Sequence, residues 1–249
     1  MGICRSLVIL KIMKGVFIIS LLLFFLLVRC SSNTEERIAT KMPGVEEQAL
    51  VKMLGEIDYE DQRYRLELDA IMNSFKRDSA KIGEIWKKIR VADSINRGRI
   101  FELLDTSGFP AKSVIGIEGA TTIWAVIQHA KPEDREKYFS VLQKAVQDSN
   151  LEVKYLAYTE DRIRTDKGLK QKYGTQFRQE PGGKPYLDPV EDPGKVDSLR
   201  NTVSLSPISA VIKEKTGEDW SWKDYYRDLP KAEKVMLEIR RRYLGKSKN

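Results

Sequence analysis

From Leu50 onward the apolar residues recur three and four apart, as Leu50, Met53, Leu54, Ile57, Tyr64, Leu68, Ile71 and Phe75. That is the repeat of an amphipathic helix. A second stripe, Ile82, Ile85, Trp86, Ile89, Ile100, Leu103 and Leu104, runs up to Thr106-Ser107-Gly108, where the chain has residues that stop a helix. Two long helices in succession predict a helical hairpin. After a turn at Phe109-Pro110, Gly116 to Gly119 lead into Ile123-Trp124-Ala125-Val126-Ile127, apolar on every face and so a buried helix that ends near Lys131, before Pro132. Pro132 opens a further helix with Phe139, Leu142 and Val146 inward, broken at Asp148-Ser149-Asn150, and Leu151 to Lys167 forms another, closed by Gly168.

The pattern then changes. Tyr173, Phe177 and Tyr186 flank Pro181-Gly182-Gly183, which predicts a small β-hairpin near residues 172–190. Asp192-Pro193 and Ser206-Pro207 are cap-then-proline starts for short helices. Trp220, Trp222, Tyr225 and Tyr226 precede a last helix with Val235, Met236, Ile239 and Tyr243 on one stripe, expected to pack back on the domain. The fold class is therefore mainly α: a multi-helix domain over 45–210 with that one hairpin, and a C-terminal aromatic and basic helical extension over 211–249.

The same periodicity tests single side chains. At ~100° per residue, Asn96 lies about 20° and Asp93 about 40° from Ile89, inside the buried stripe of the second helix. Asp61 falls about 40° from Ile57 on the first helix and also points inward. A carboxylate in an apolar interior costs several kcal/mol unless it is paired or hydrogen-bonded, so these positions need partners. Arg65, one turn beyond Asp61, and Asp161-Arg162 beside Tyr158 are at hand. His129, the one histidine, ends the all-apolar helix, where a helix C-terminus favours the imidazolium. The functional reading is a cleft lined by Asp61, Asp93, Asn96, His129 and Asp161; the alternative is a satisfied buried network that fixes how the helices dock.

Composition narrows the setting. The formal charge is +7, from 43 basic and 36 acidic residues. Arg5, Lys11, Lys14 and Arg29 lie in the first 29 residues, which hold no acid, leaving 39 basic against 36 acidic side chains and a net +3 from Cys30 onward. That is an ordinary surface rather than a nucleic-acid footprint. The basic start, the 13-residue apolar run Val16 to Val28 broken by Ser20, and Cys30 form an export signal. Leu27-Val28-Arg29-Cys30 resembles a lipobox, although Arg29 replaces the usual small residue. The expectation is a signal peptide over 1–29, lipidation at Cys30, a tether over 30–44, and a membrane-anchored domain in the cell envelope. An uncleaved signal anchor would also attach the domain to a membrane. The other cysteine, Cys4, lies inside the signal, so the domain holds no thiol and cysteine catalysis is excluded.

With one histidine there is no HExxH zinc site, and there is no GxSxG elbow, P-loop or GxGxxG after a strand. No cofactor is implied. No metal is assigned, a carboxylate-rich site from Asp61, Asp93, His129 and Asp161 being a weaker alternative. Three functions stay open: binding of a small polar ligand or envelope fragment, acid/base catalysis by a hydrolase or lyase with His129 as acid and Asp93 or Asp161 as base, and a structural or interaction role.

As an ordered set, these motifs resemble the bacterial domain of unknown function 6624 family. The matching residues are Asp61-Gln62 with Arg65, Asp93 with Asn96, Gly108-Phe109-Pro110, Gly116 with Glu118-Gly119-Ala120, and Trp124 through Gln128-His129-Ala130. They continue with Tyr158 and Asp161-Arg162, Tyr173-Gly174-Thr175-Gln176, and Glu191-Asp192-Pro193 with Val196-Asp197 and Arg200. Lys131 stands where the family usually has an acid. The resemblance spans roughly residues 47 to 210 and implies a helical domain of unassigned activity. Its motif residues coincide with the inward polar positions, and it adds Tyr173 and Gln176 as wall residues. The candidate catalytic residues are then His129, Asp93 and Asp161, and the candidate ligand contacts Asp61, Asn96, Arg162, Tyr173 and Gln176.

Overall fold

A computed structural model of the chain describes residues 44–72, 78–179 and 184–246. The apolar N-terminal run, Cys30 and the tether up to residue 43 lie outside the described residues, as do Phe75 and Pro181-Gly182-Gly183. Among the described residues no helix is long and apolar enough to cross a membrane.

The two long stripes form α1 (Val45–Met72) and α2 (Ser79–Ser107). Asp78 caps α2, its carboxylate accepting the amides of Ala80 and Lys81 at 3.0 Å. The two helices pair as a hairpin. Leu68 meets Ile85 and Ile89 at the closed end, and Leu54 and Ile57 meet Ile100 and Leu104 toward the other. Trp86 departs from the predicted inward stripe and is exposed, because Ile85 and Ile89 already occupy that face one turn apart.

Helix α3 (Lys112–His129) packs against both arms of the hairpin. It begins well before its apolar run, because Gly116 adopts a φ of 70° and joins a short first turn to the main helix. A side chain there would strain the backbone. Ile123, Val126 and Ile127 are buried, each worth about 1.5–3 kcal/mol of apolar transfer. Helix α4 (Pro132–Gln147) follows, with an inward stripe of Arg135, Tyr138, Leu142 and Ala145. The expected Phe139 and Val146 are half-buried at the edge of that stripe. Helix α5 (Val153–Asp166) packs against α4.

Strands β1 (Phe177–Arg178) and β2 (Tyr186–Leu187) pair antiparallel, Phe177 opposite Leu187 and Arg178 opposite Tyr186. Helices α6 (Val196–Thr202), α7 (Ile208–Thr216) and α8 (Trp222–Lys246) complete the described chain. Ser206 does not cap α7; Asp197, on α6, accepts the Ile208 amide at 2.9 Å instead. A second apolar cluster joins Leu187, Val190, Val196, Ile208 and Ile212 to Tyr225 of α8, whose hydroxyl accepts the Val190 amide at 3.1 Å. The aromatic tail thus packs back on the hairpin.

Candidate functional site

Asp61, on the inward face of α1, is 2% exposed. Its Oδ2 accepts Gln62 Nε2 at 2.8 Å, while its Oδ1 faces Arg65 Nη1 at 3.3 Å and His129 Nδ1 at 3.1 Å. Arg65 is held from the other side by Asp93 of α2, Nη2 to Oδ1 at 2.8 Å, and also donates to the Asp61 carbonyl at 2.8 Å. The end of α3 therefore meets both arms of the hairpin through one chain of polar contacts: Asp93, Arg65, Asp61, His129.

The chemistry of this junction follows from the donor set. A carboxylate accepts, so Asp61 favours the tautomer with the proton on Nδ1 and leaves Nε2 as an acceptor. No hydrogen bond to Nε2 forms among the described residues, and the His129 side chain is 31% exposed. Beside it, Gln128 keeps its side-chain oxygen buried with no donor among the described residues. Asn96 sits one turn from Asp93 and donates to the Ile57 carbonyl at 3.4 Å, so it joins α1 to α2.

Asp161 lies elsewhere. It is fully buried on α5, and its two oxygens accept the amides of Lys172 (2.6 Å), Tyr173 (3.0 and 3.1 Å) and Thr175 (3.0 Å) and the Thr175 hydroxyl (3.0 Å). Burial holds its carboxyl above the ordinary value, and these donors offset only part of that rise. Every donor belongs to the 172–175 loop, so the carboxylate is spent on holding that loop to α5. Gly174 makes the turn with a φ of +65°, and a Cβ there would stand 2.6 Å from Ile208 Cδ1. Tyr173 is buried against Ala157, Val203 and Leu205, as a core residue. Among the described residues no group of three or more His, Cys, Asp or Glu stands close enough to share a metal ion.

Arg162 and Gln176 meet each other, Nη1 to Oε1 at 3.1 Å. Thus Asp61, Asp93 and His129 share one junction, with Asn96 beside it, while Asp161, Arg162, Tyr173 and Gln176 gather at a second. Two buried arginines were not on the candidate list. Arg135 donates to the Gln128 and Ala130 carbonyls at the end of α3 and pairs with Asp166 of α5 at 2.6 Å. Arg200 donates to the carbonyls of Tyr173 (2.8 Å), Gly174 (3.1 Å) and Ser206 (2.6 Å). Arg135 was open to the inward-face test once the α4 stripe is phased on Tyr138 rather than Phe139; Arg200 was marked by the family motif alone.

Fold and polar junctions together define a mainly helical domain braced by buried charge. A family model described as a family of unknown function (DUF6624) matches residues 71–219, more than half of the chain, and the chain belongs to that family. The match takes in Asp93, Asn96, His129, Asp161, Arg162, Tyr173 and Gln176 and begins after Asp61 and Arg65. No curated protein and no solved structure matches the chain.

Proposed function

We propose that the chain is a membrane-anchored envelope lipoprotein, lipidated at Cys30, whose helical domain binds a small polar ligand or envelope fragment beside His129. The observation that carries this reading is the pairing of Asp61 with His129 Nδ1 at 3.1 Å on a ring that is still partly exposed. A buried carboxylate behind an open imidazole orients a donor or acceptor toward solvent, at a fixed place on a rigid helix end.

The same dyad favours a second reading, acid/base catalysis of the hydrolase or lyase type. In that reading His129 carries the proton and Asp61 holds its tautomer, while Asp161, whose oxygens are already occupied at the other junction, takes no part. Titration of the protein with envelope glycans and short peptides tests the site. Saturable binding lost in His129→Ala is expected; binding of equal strength in the variant would overturn the assignment.

A further inference from the structure

Between α5, the β-hairpin and α8 lies a cavity of about 270 Å³, open to Arg162, Asp166, Gln176, Arg178 and Asp188. The lining holds two arginines and two aspartates, and both acids are already engaged. Asp166 takes Nε and Nη2 of Arg135 at 3.2 and 2.6 Å, and Asp188 takes Nε of Arg178 at 2.5 Å. Each acid is thus engaged by a different arginine. Arg162 has no carboxylate within 4.0 Å among the described residues, and its hydrogen bond there is to the neutral Gln176. With Arg135, which reaches Asp166 from outside the lining, three guanidinium groups face two carboxylates, and Arg162 is the one left without a carboxylate partner.

That charge sits in an unusual place. The Arg162 side chain is open to solvent, yet its guanidinium is surrounded by protein groups, the combination that a concave site produces. Burial lowers its pKa, as does repulsion from Arg135 and Arg178, while attraction by Asp166 and Asp188 offsets part of that fall. A guanidinium does not shed its proton in response, so its charge stays in place to attract an anion.

We propose that this cavity binds a small organic monoanion through its carboxylate, gripped by the fork of Arg162. The planar guanidinium matches a carboxylate with two parallel N–H bonds. A single surplus charge suits a monoanion, whereas a phosphate dianion would add uncompensated charge beside Asp166 and Asp188. Phe177 and Ile239 line the same cavity and offer apolar wall to the hydrocarbon part of the ligand. The lining of this site shares no residue with the His129 junction, although Arg135, which engages Asp166, also holds the carbonyls on either side of His129.

Calorimetric titration of the full chain in detergent micelles, at constant ionic strength, tests this with butanoate and with inorganic phosphate as probes. Saturable butanoate binding is expected, with phosphate weaker by about tenfold or more, and with butanoate weakened about tenfold in Arg162→Gln and unchanged in His129→Ala. Arg162→Lys keeps the charge and loses the fork, so it should also bind butanoate less tightly and provides the reading if the Gln variant does not melt cooperatively. Absence of saturable butanoate binding, equal or tighter binding of phosphate, or full butanoate affinity in the arginine variants would overturn the proposal.

Discussion

Asp61 and Asp161 are both buried carboxylates on the inward face of a helix, and they are used in opposite ways. Asp61 is met by side chains: Gln62 and Arg65 from its own helix and His129 from α3. Asp161 is met by the amides of Lys172, Tyr173 and Thr175, with one hydroxyl. Backbone donors have nowhere else to go, so removing their acceptor leaves several of them unsatisfied. Side-chain donors at the Asp61 junction keep other partners, as Arg65 keeps Asp93, and the imidazole keeps a free nitrogen. Burial alone therefore does not tell how firmly a carboxylate braces the fold; the identity of its donors does.

The sharpest way to break this contrast is Asp161→Ala. Loss of three amide bonds and one hydroxyl bond in a dry site should cost about 4 kcal/mol, read as a lower denaturant midpoint. A cost below about 1 kcal/mol would mean the loop is not held by Asp161. At the other junction, Asp61→Asn and His129→Ala should each change stability by about 1 kcal/mol or less while removing the binding proposed for His129. A fall of many degrees in the melting temperature of both variants would class the Asp61 junction with Asp161, as bracing.

The smallest effect concerns pH. Burial raises the Asp188 carboxyl above its ordinary value, against the pull of Arg178 and Arg162. The native carboxyl then holds its proton more readily than the unfolded chain does. Its contribution is fully present below the unfolded value of about 4 and is lost as pH rises through the folded value. Asp188→Asn should flatten that decline in melting temperature; an unchanged slope would place the proton uptake elsewhere.

Helix spacing made the fold legible, and the angular test placed Asp61 and Asn96 inside before any contact was known. What it missed has specific causes. On α4 the apolar Phe139 and Val146 pull the apparent stripe one residue away from Tyr138, which hides Arg135. The cap of α7 comes from Asp197, on the preceding helix, and not from adjacent Ser206. The role of Asp161 was illegible because its partners are main-chain amides, which every residue but proline carries, so no side-chain pattern announces them. Arg162 looked like a partner for carboxylates, and only the pairing of Asp166 and Asp188 with other arginines leaves it unmatched.

The separations along the chain carry a consequence for the order of folding. Asp161 reaches donors 11 to 14 residues ahead of it, whereas Asp61 waits for His129, 68 residues on. Closing the longer loop costs roughly 1.5 kcal/mol more chain entropy, so contacts within residues 161–175 can form while the three-helix junction is still searching. Pulse-labelled hydrogen exchange during refolding should find the Tyr173 and Thr175 amides protected before the amides of α1, and simultaneous protection would refute that order. The segment that locks first is then the one facing the Arg162 cavity, and the histidine acquires its orientation only in the last closure of the chain.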